Sequence, residues 1–422
     1  MKRKIKLMVN MLLVAAIAAI VCTSCSKDDP APVQASGVTL NKTTLTLAVG
    51  ASETLTATIT PDNAADTSLT WTSSATEIAS VANGRITAIA AGSATITVTT
   101  ANGKTASCEV TVRTPDVYVA GYEHDGSNNV AKVWKNGNLL YTLTDDTNYS
   151  EAYSVFVSGS DVYAAGAKYN GYTYMATVWK NGNPLYGLTN GANNAYAYSV
   201  FVSGGDVYAA GTEYNGNREV AKVWKNGDLL YDLTDGVNYS GASSVYVSGS
   251  DVYAAGYEYN GSNYVTKVWK NGNLLYDLTD GTNSSEASSV FVSGSDVYIA
   301  GCEYNVSNYV AKVWKNGNLL YDLTDGSSES VAFSVFVSGG DVYAAGSDGG
   351  IATVWKNGTA QPLTDGANFA YARSIFVFGN DVYVAGSEYN GSHDVAKAWK
   401  NGVATALTVG TNWSEAHSIF VK

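Results

Sequence analysis

The 422-residue sequence has little charge, little proline and little cysteine. Lys, Arg, Asp and Glu together make up 15% of it, and there are only 6 prolines and 4 cysteines. The net charge is −12 and no basic cluster lies beyond the extreme N-terminus, so we expect no nucleic-acid partner. Abundant Gly (42) and Tyr (30) favour an all-β protein instead.

Common catalytic and metal-binding motifs are also missing. The sequence has no G-x-S-x-G, H-E-x-x-H, phosphate-loop or D-x-D-x-D-G pattern, and no Cys/His spacing typical of zinc. We therefore predict no cofactor, no bound metal and no enzymatic activity. One alternative stays open, because Glu151, Glu286 and Glu415 include enough carboxylates for glycoside chemistry if two lie at a suitable separation.

The N-terminus has the pattern of a targeting segment. A basic stretch at residues 2–6 precedes an apolar run from Met11 to Cys22, which is short for a membrane span and typical of a signal-peptide core. The small residues that follow lead into Cys25 and resemble a bacterial lipobox, in which the cysteine carries lipid. The acidic segment 26–29 resembles the export tag of Bacteroidetes surface lipoproteins.

This resemblance implies a signal peptide at residues 1–24, lipid attachment at Cys25 and a tether at residues 25–36. It also implies that the protein is anchored in the outer membrane by its N-terminal lipid and faces the cell exterior. An ordinary secretory signal without lipid is the alternative.

Short runs of alternating polar and apolar residues follow the tether. They occupy residues 37–61, 69–74, 80–98 and 108–112, and this period-2 pattern predicts an antiparallel sandwich. Together with Trp71, these runs resemble the group 2 bacterial immunoglobulin-like domain, which implies an Ig-like spacer domain at residues 37–114. Cys108 is then a small buried residue, and we expect no disulfide between it and Cys302.

The rest of the chain is repetitive. A V-W-K-N-G motif (A-W-K-N-G in its last copy) and a D-V-Y motif each recur seven times, and the aspartates of the second motif are Asp116, Asp161, Asp206, Asp251, Asp296, Asp341 and Asp381. Each repeat is predicted to contain four short strands, and its Asn-Gly pair to form a tight hairpin. Four strands in about 45 residues is the period of a propeller blade.

The two ends of the repeat array are offset. The first repeat begins at its second strand, whereas the chain ends on a spare first strand at residues 418–421. That strand should pair with the first repeat. The predicted fold is therefore all-β: a small Ig-like β-sandwich followed by a seven-bladed β-propeller (115–422) that is closed by the C-terminal strand.

One face of this propeller should carry the variable positions. The first-to-second and third-to-fourth turns are nearly uniform, whereas the connections between repeats vary around a recurrent alanine. These connections should ring the mouth of the central channel, where aromatic, acidic and basic side chains suit a polar ligand. The candidate ligand-binding residues are Glu151, Tyr196, Glu286, Tyr371, Arg373, Trp413, Glu415 and His417. The alternative is a ring of solvated loops without function.

The sequence thus predicts a cell-surface lipoprotein with a non-catalytic role in recognition or adhesion. Its partner would be a glycan or a host or surface protein, bound through the variable-loop face. A structural surface protein without a small ligand is the first alternative, and a polysaccharide-active enzyme is the second.

Overall fold

The computed structural model describes residues 31–145 and 148–422. Every regular element in these residues is a β-strand, so the predicted all-β class is confirmed. None of the described residues belongs to a helix that could cross a membrane. The predicted signal peptide (1–24), Cys25 and the beginning of the tether lie outside the described residues.

The first nine strands form the N-terminal domain. Four of them make a sheet in the order β2-β9-β8-β5, three make a sheet in the order β3-β7-β6, and β1 pairs with β4. The strands are β1 (Gly37–Leu40), β2 (Thr44–Ala48), β3 (Ser52–Thr54), β4 (Ala57–Thr60), β5 (Leu69–Ser73), β6 (Ala79–Ala82), β7 (Arg85–Ala88), β8 (Gly92–Thr100) and β9 (Thr105–Arg113).

The core of this domain follows from the alternating pattern of its strands. In β8 and β9 every second side chain points inward, so Ile96 and Val110 are fully buried. Cys108 is buried beside them and is a free thiol, and Trp71 packs against the same core from its edge. The domain therefore depends on close packing of small apolar side chains.

The described residues from Val117 onward form seven four-stranded antiparallel sheets. We number them one to seven in chain order of their second strands. Sheet one contains β10 (Val117–His124), β11 (Asn129–Lys135), β12 (Asn138–Thr142) and the C-terminal strand β37 (Ser414–Val421). Because β37 lies antiparallel to β10, with Val117 opposite Val421, the two ends of the array meet in one sheet.

Sheets two to seven each use four consecutive strands. Sheets two to four contain β13 (Ser150–Ser158), β14 (Asp161–Tyr169), β15 (Tyr174–Lys180), β16 (Asn183–Gly187), β17 (Ala195–Ser203), β18 (Asp206–Tyr214), β19 (Glu219–Lys225), β20 (Asp228–Asp232), β21 (Ser240–Ser248), β22 (Asp251–Tyr259), β23 (Tyr264–Lys270) and β24 (Asn273–Asp277). Sheets five to seven contain β25 (Ser285–Ser293), β26 (Asp296–Tyr304), β27 (Tyr309–Lys315), β28 (Asn318–Asp322), β29 (Ser330–Ser338), β30 (Asp341–Asp348), β31 (Ile351–Lys356), β32 (Thr359–Pro362), β33 (Ala370–Phe378), β34 (Asp381–Tyr389), β35 (Asp394–Lys400) and β36 (Val403–Ala406).

The recurrent motifs meet at one end of each sheet. In sheet two, Asn181 begins the Asn-Gly turn at a φ of 50°, and its side-chain oxygen accepts a hydrogen bond from the Val162 N–H at 2.9 Å. Its side-chain amide donates to Asp161, whose other oxygen lies 2.8 Å from the Lys180 ammonium. The D-V-Y aspartates therefore clamp a neighbouring hairpin, and do not cap their own turn.

Side chains, rather than hydrogen-bonded strand pairing, join one sheet to the next. The seven tryptophans of the V-W-K-N-G motif are no more than 2% exposed. We call the first strand of each sheet its inner strand (β13, β17, β21, β25, β29, β33 and, in sheet one, β37) and the fourth its outer strand. On the inner strands, seven aromatic rings touch in an uninterrupted circuit with centroids 4.7–5.1 Å apart: Phe156, Phe201, Tyr246, Phe291, Phe336, Phe376 and Phe420. The last ring of the chain contacts the first, so the circuit passes through β37.

Candidate functional site

Each inner strand carries a β-bulge near the end where the repeats vary. In sheet two, Ala152 pairs with Gly166 and Ser154 with Ala165, so Tyr153 is the additional residue between them. A bulge of this kind redirects one side chain out of the regular alternation. The residues in the bulge position of the seven sheets are Tyr153, Tyr198, Ser243, Ser288, Phe333, Arg373 and His417.

The glycine opposite each bulge is required by this geometry. A Cβ added to Gly166 would lie 1.9 Å from the carbonyl oxygen of Glu151, and the equivalent distances in the seven sheets are 1.8–2.1 Å. No side chain fits at that separation, because the bulge pushes a backbone carbonyl against the second strand. The recurrent alanine before the bulge is also at most 1% exposed. The repeated Gly and Ala thus build the bulge, and the residue between them is free to vary.

All seven bulge residues line one cavity of about 300 Å³, together with Tyr257, Glu286 and Ala287. We call this the mouth cavity. Among the residues predicted for the site, it therefore brings together Glu286, Arg373 and His417. Its volume is at the lower end of the range for small-ligand sites, and its lining mixes aromatic rings with hydroxyl groups and both signs of charge.

The site differs from the sequence prediction in its secondary structure. We expected the variable residues in connections between strands, but Glu151 and Tyr196 lie inside β13 and β17, as do their equivalents in other sheets. The bulge explains the difference, because it interrupts the period-2 pattern while the strand pairing continues beyond it. Of the predicted residues, only Trp413 lies in a connection.

Arg373 is held by its neighbours on one side of the mouth cavity. Its guanidinium lies over two aromatic rings, 4.7 Å from the ring centre of Phe333 and 4.8 Å from that of Tyr371, and so makes two cation–π contacts. It also lies 3.4 Å from the Glu415 carboxylate, which accepts a further hydrogen bond from the Tyr122 hydroxyl at 3.2 Å. Tyr371 and Glu415 therefore position the arginine from behind the cavity wall.

His417 is the one histidine that lines the mouth cavity, and its pKa is strongly lowered. Its ring lies between Tyr122 and Tyr153, with centroids 5.7 and 5.6 Å away. Burial and the nearby Arg373 charge lower the pKa of His417 to about 4, although the Glu151 carboxylate acts in the opposite direction. The imidazole is therefore neutral near pH 7, and it contributes a polar aromatic surface rather than a charge.

Glu151 and Tyr196 lie beside the cavity on its tyrosine-rich side. The Glu151 carboxylate accepts hydrogen bonds from the Asn129 amide at 2.7 Å and from the Tyr149 hydroxyl. Tyr196 stacks between Tyr174 and Tyr198, with centroids 5.4 and 6.0 Å away. The aromatic contacts continue through Tyr198 to Tyr153, so a connected series of rings leads toward the mouth cavity.

Trp413 is not brought into this group. It is 43% exposed, and its ring contacts His393 at 5.5 Å and Tyr389 at 6.2 Å, near the loop between β34 and β35. Trp413 therefore belongs to the outer part of the face and not to the mouth cavity.

The sequence prediction missed Tyr257, which enters the cavity from a second strand. The residue after the obligatory glycine of each second strand varies as widely as the bulge residue does, and Tyr257 holds this position in sheet four. Opposite it is Gly241, where an added Cβ would lie 2.9 Å from the tyrosine ring. Gly241 is the only glycine at that position of the inner strands, and its presence in the sequence could have indicated a large side chain opposite it.

Among the described residues, no group of three or more His, Cys, Asp or Glu side chains is arranged to hold a metal ion.

Comparisons with known proteins identify the N-terminal domain. Residues 34–110 match the family model of the bacterial Ig-like domain (group 2), which confirms the predicted Ig-like domain. The chain is 49% identical over 76 residues to the minor capsid protein of Enterobacteria phage T3, and 36% identical over 143 residues to the alpha-L-arabinofuranosidase of Bifidobacterium longum subsp. longum. The matches cover 18% and 29% of this chain, but only 17% and 13% of those proteins.

A solved structure resembles a larger part of the chain. The β-propeller domain of the Trilobed protease from Pyrococcus furiosus aligns with 76% of this chain and 94% of its own, with a TM-score of 0.40 and 10% sequence identity.

Proposed function

We propose that this protein recognises a polar ligand, either a glycan or a surface protein, through the face that carries the mouth cavity, and that it does so without catalysis. The observation that carries the proposal is the convergence of all seven bulge residues into one cavity. The scaffold requires the flanking Gly and Ala but leaves the bulge residue free, and the seven sheets place seven side chains of five different types there. Such variation on a uniform frame is typical of a binding site.

The opposite face supports this assignment by contrast. There, all seven sheets repeat the same Asp–Asn hydrogen bond and Asp–Lys ion pair. Their polar groups are engaged with one another, and they serve the hairpins. We therefore assign ligand binding to the variable face and structural support to the uniform face.

We further propose that the seven sheets are the blades of a closed seven-bladed propeller. The pairing of β37 with β10 and the circuit of inner aromatic rings support this arrangement. The protein would be held at the outer surface of the outer membrane by lipid on Cys25, with the Ig-like domain as a spacer. The support for this location is the N-terminal sequence pattern alone.

A non-catalytic role is favoured because two of the three candidate carboxylates are occupied. Glu151 is hydrogen-bonded by Asn129 and Tyr149, and Glu415 by Tyr122 and Arg373. A retaining or inverting glycosidase needs two carboxylates free to act on one bond. Glycan turnover measured by product analysis is the direct test, and release of product that requires Glu286 would make the protein an enzyme.

The recognition proposal is tested by a binding screen of glycans and surface proteins against the isolated mature chain. For any ligand found, Tyr196→Ala and Tyr371→Ala should each weaken binding by about 1–3 kcal/mol and change the melting temperature little. Asn226→Ala on the uniform face is the control, and it should lower stability without changing affinity. Loss of binding in Asn226→Ala alone would place the ligand site on the uniform face and contradict the proposal.

The lipid proposal has its own test. Cells grown with a labelled fatty acid should incorporate label into the wild-type protein and none into Cys25→Ala. Equal labelling of both proteins would leave the ordinary secretory signal as the better explanation.

A further inference from the structure

The charges at the mouth cavity are unevenly compensated. Arg373 is its one lining residue with a permanent positive charge, and it lies 3.4 Å from the Glu415 carboxylate. Asp394 is close to both, because burial and the Glu415 charge raise the pKa of its carboxyl group while Arg373 lowers it. The arginine side of the cavity therefore carries no excess positive charge that would attract an anion.

Glu286 lies in the same cavity without such a partner. Within residues 31–145 and 148–422, no side chain forms an ion pair with its carboxylate or donates a hydrogen bond to it. Burial raises the pKa of Glu286, and burial is the whole cause of that shift. Glu286 is half-buried, and a carboxylate that is partly removed from water without a compensating charge is stabilised by a ligand that supplies one.

Three tyrosines line the cavity together with this carboxylate, and one of them, Tyr257, is close to it. Tyr153 and Tyr198 touch with their centroids 5.4 Å apart, and Tyr257 comes from the adjacent sheet. Burial raises the pKa of the Tyr257 hydroxyl, and the charges of Tyr198, Glu219 and Glu286 raise it further, so these groups lie close together. Electron-rich ring faces beside a carboxylate are the usual surroundings of a bound organic cation.

We propose that the mouth cavity binds a positively charged amino group of its ligand, with Glu286 as the counter-ion and Tyr153, Tyr198 and Tyr257 as the aromatic wall. This inference rests on the proposed recognition function and specifies the ligand class. The cavity already contains one cation held by aromatic rings and a carboxylate, since Arg373 lies over the rings of Phe333 and Tyr371 and beside Glu415. The amino group of the ligand would occupy the equivalent position beside Glu286, on the side of the cavity away from Arg373.

The surroundings favour an amino sugar as the carrier of this group. Ser243 and Ser288 add hydroxyls to the cavity lining, and these suit the hydroxyl groups of a sugar ring. The connected tyrosines from Tyr174 through Tyr196 to Tyr198 provide further aromatic surface for adjacent sugar units. We therefore expect an oligosaccharide whose amino groups are free and not acetylated.

Calorimetric titration of the full-length mature protein provides the test. The probes are a glucosamine oligomer with free amino groups and the fully N-acetylated oligomer of the same length, which differ only in charge and the acetyl group. The free-amine oligomer should bind at least about tenfold more tightly. Glu286→Gln should remove that preference without weakening the N-acetylated oligomer, and Tyr198→Ala should weaken both.

Asp228→Asn is the matched control. It also removes one negative charge, but Asp228 is an exposed residue of the outer strand β20, and asparagine stands at the equivalent position of four other repeats. Its affinities should stay within about twofold of the wild type. An equal loss in Glu286→Gln and Asp228→Asn would mean that only the general negative charge attracts the oligomer, and would overturn the proposal.

The remaining outcomes separate this inference from the function on which it rests. Equal binding of both oligomers, or no binding of the free-amine oligomer, overturns the ammonium site. If a neutral or acidic ligand then binds and is lost in Tyr198→Ala, recognition at this face stands. A free lysine oligopeptide that binds more tightly than the amino sugar, with the same dependence on Glu286, would overturn the sugar assignment.

Discussion

The junction between sheets seven and one lacks an aromatic contact that five other junctions share, and this difference can be tested by one substitution. At five junctions, a tyrosine of the outer strand covers the glycine of the next Asn-Gly turn; Tyr231, for example, is so near Gly272 that an added Cβ would lie 2.6 Å from its ring. The outer strand of sheet seven has four residues, one fewer than in sheets one to five, and Thr405 stands opposite Ala398 where those five sheets have tyrosine. A cavity of about 160 Å³ lies there.

Thr405→Tyr should fill this cavity and stabilise the protein. At about 24 cal/mol per Å³, complete filling of 160 Å³ would give an upper limit of about 4 kcal/mol. The cavity is partly open and the shorter strand changes the angle of entry, so we expect a gain of about 1–2 kcal/mol in the free energy of unfolding. The reciprocal change, Tyr231→Thr, should create the same defect at another junction and cost about 2 kcal/mol.

Equilibrium denaturation in guanidinium chloride, followed by tryptophan fluorescence and circular dichroism, measures both changes. Thr405→Ala serves as the control that fills nothing, and it should leave the midpoint nearly unchanged. If Thr405→Tyr has no effect or destabilises the protein while Tyr231→Thr destabilises it, the tyrosine positions at the two junctions are not equivalent and the reasoning is refuted.

Three further predictions concern the C-terminal strand β37, the half-buried His417 and the uniform hairpins. Deletion of residues 418–422 removes Ile419 and Val421, which are 4% and 2% exposed, so we expect a loss of about 3–6 kcal/mol; a truncated protein that melts with the wild type would contradict closure by β37. Because the pKa of His417 is lowered to about 4 from 6.5, the unfolded chain binds its proton first as the pH falls. The stability that His417 contributes is therefore present above about pH 6.5 and is lost toward pH 4, by about 2–3 kcal/mol; His417→Phe should flatten this part of the stability profile, and an unchanged profile would show that another group titrates. Asn271→Ala should cost about 1–2 kcal/mol, since it loses two side-chain hydrogen bonds and places alanine at a φ of 51°; Asn271→Gly relieves the φ cost alone, so equal melting temperatures for the two variants would show that the backbone angle contributes nothing.

Most of the fold could be predicted from the repeat pattern of the sequence. Asn-Gly pairs tolerate positive φ and therefore mark hairpins, and their regular recurrence showed that every unit has the same strand order. The function of the D-V-Y aspartates was harder to predict. Their partners, such as Asn181 and Lys180 for Asp161, lie about 20 residues away in the chain and become neighbours only when the second and third strands pair.

The candidate site was predictable in its location and less so in its membership. The variable positions around the recurrent alanine indicated the end of the strands at which the mouth cavity lies, and Glu286, Arg373 and His417 line that cavity. Trp413 is aromatic, like the candidates Tyr196 and Tyr371, but its ring points to the outer part of the face. Direction could not be read from the sequence, because it depends on which residue forms the bulge.

The sequence by itself determined the all-β class, the Ig-like domain, the repeat length and the face on which variation is concentrated, because these depend on local patterns of residue type and turn chemistry. Only the tertiary structure decided that seven bulges point to one cavity, that Tyr257 joins them from a second strand, and that Arg373 is compensated while Glu286 is not. The physical reason is that strand pairing and burial set distances between charges and rings that are tens to hundreds of residues apart. Arg373 and Glu415, 42 residues apart in the chain, lie 3.4 Å apart in space.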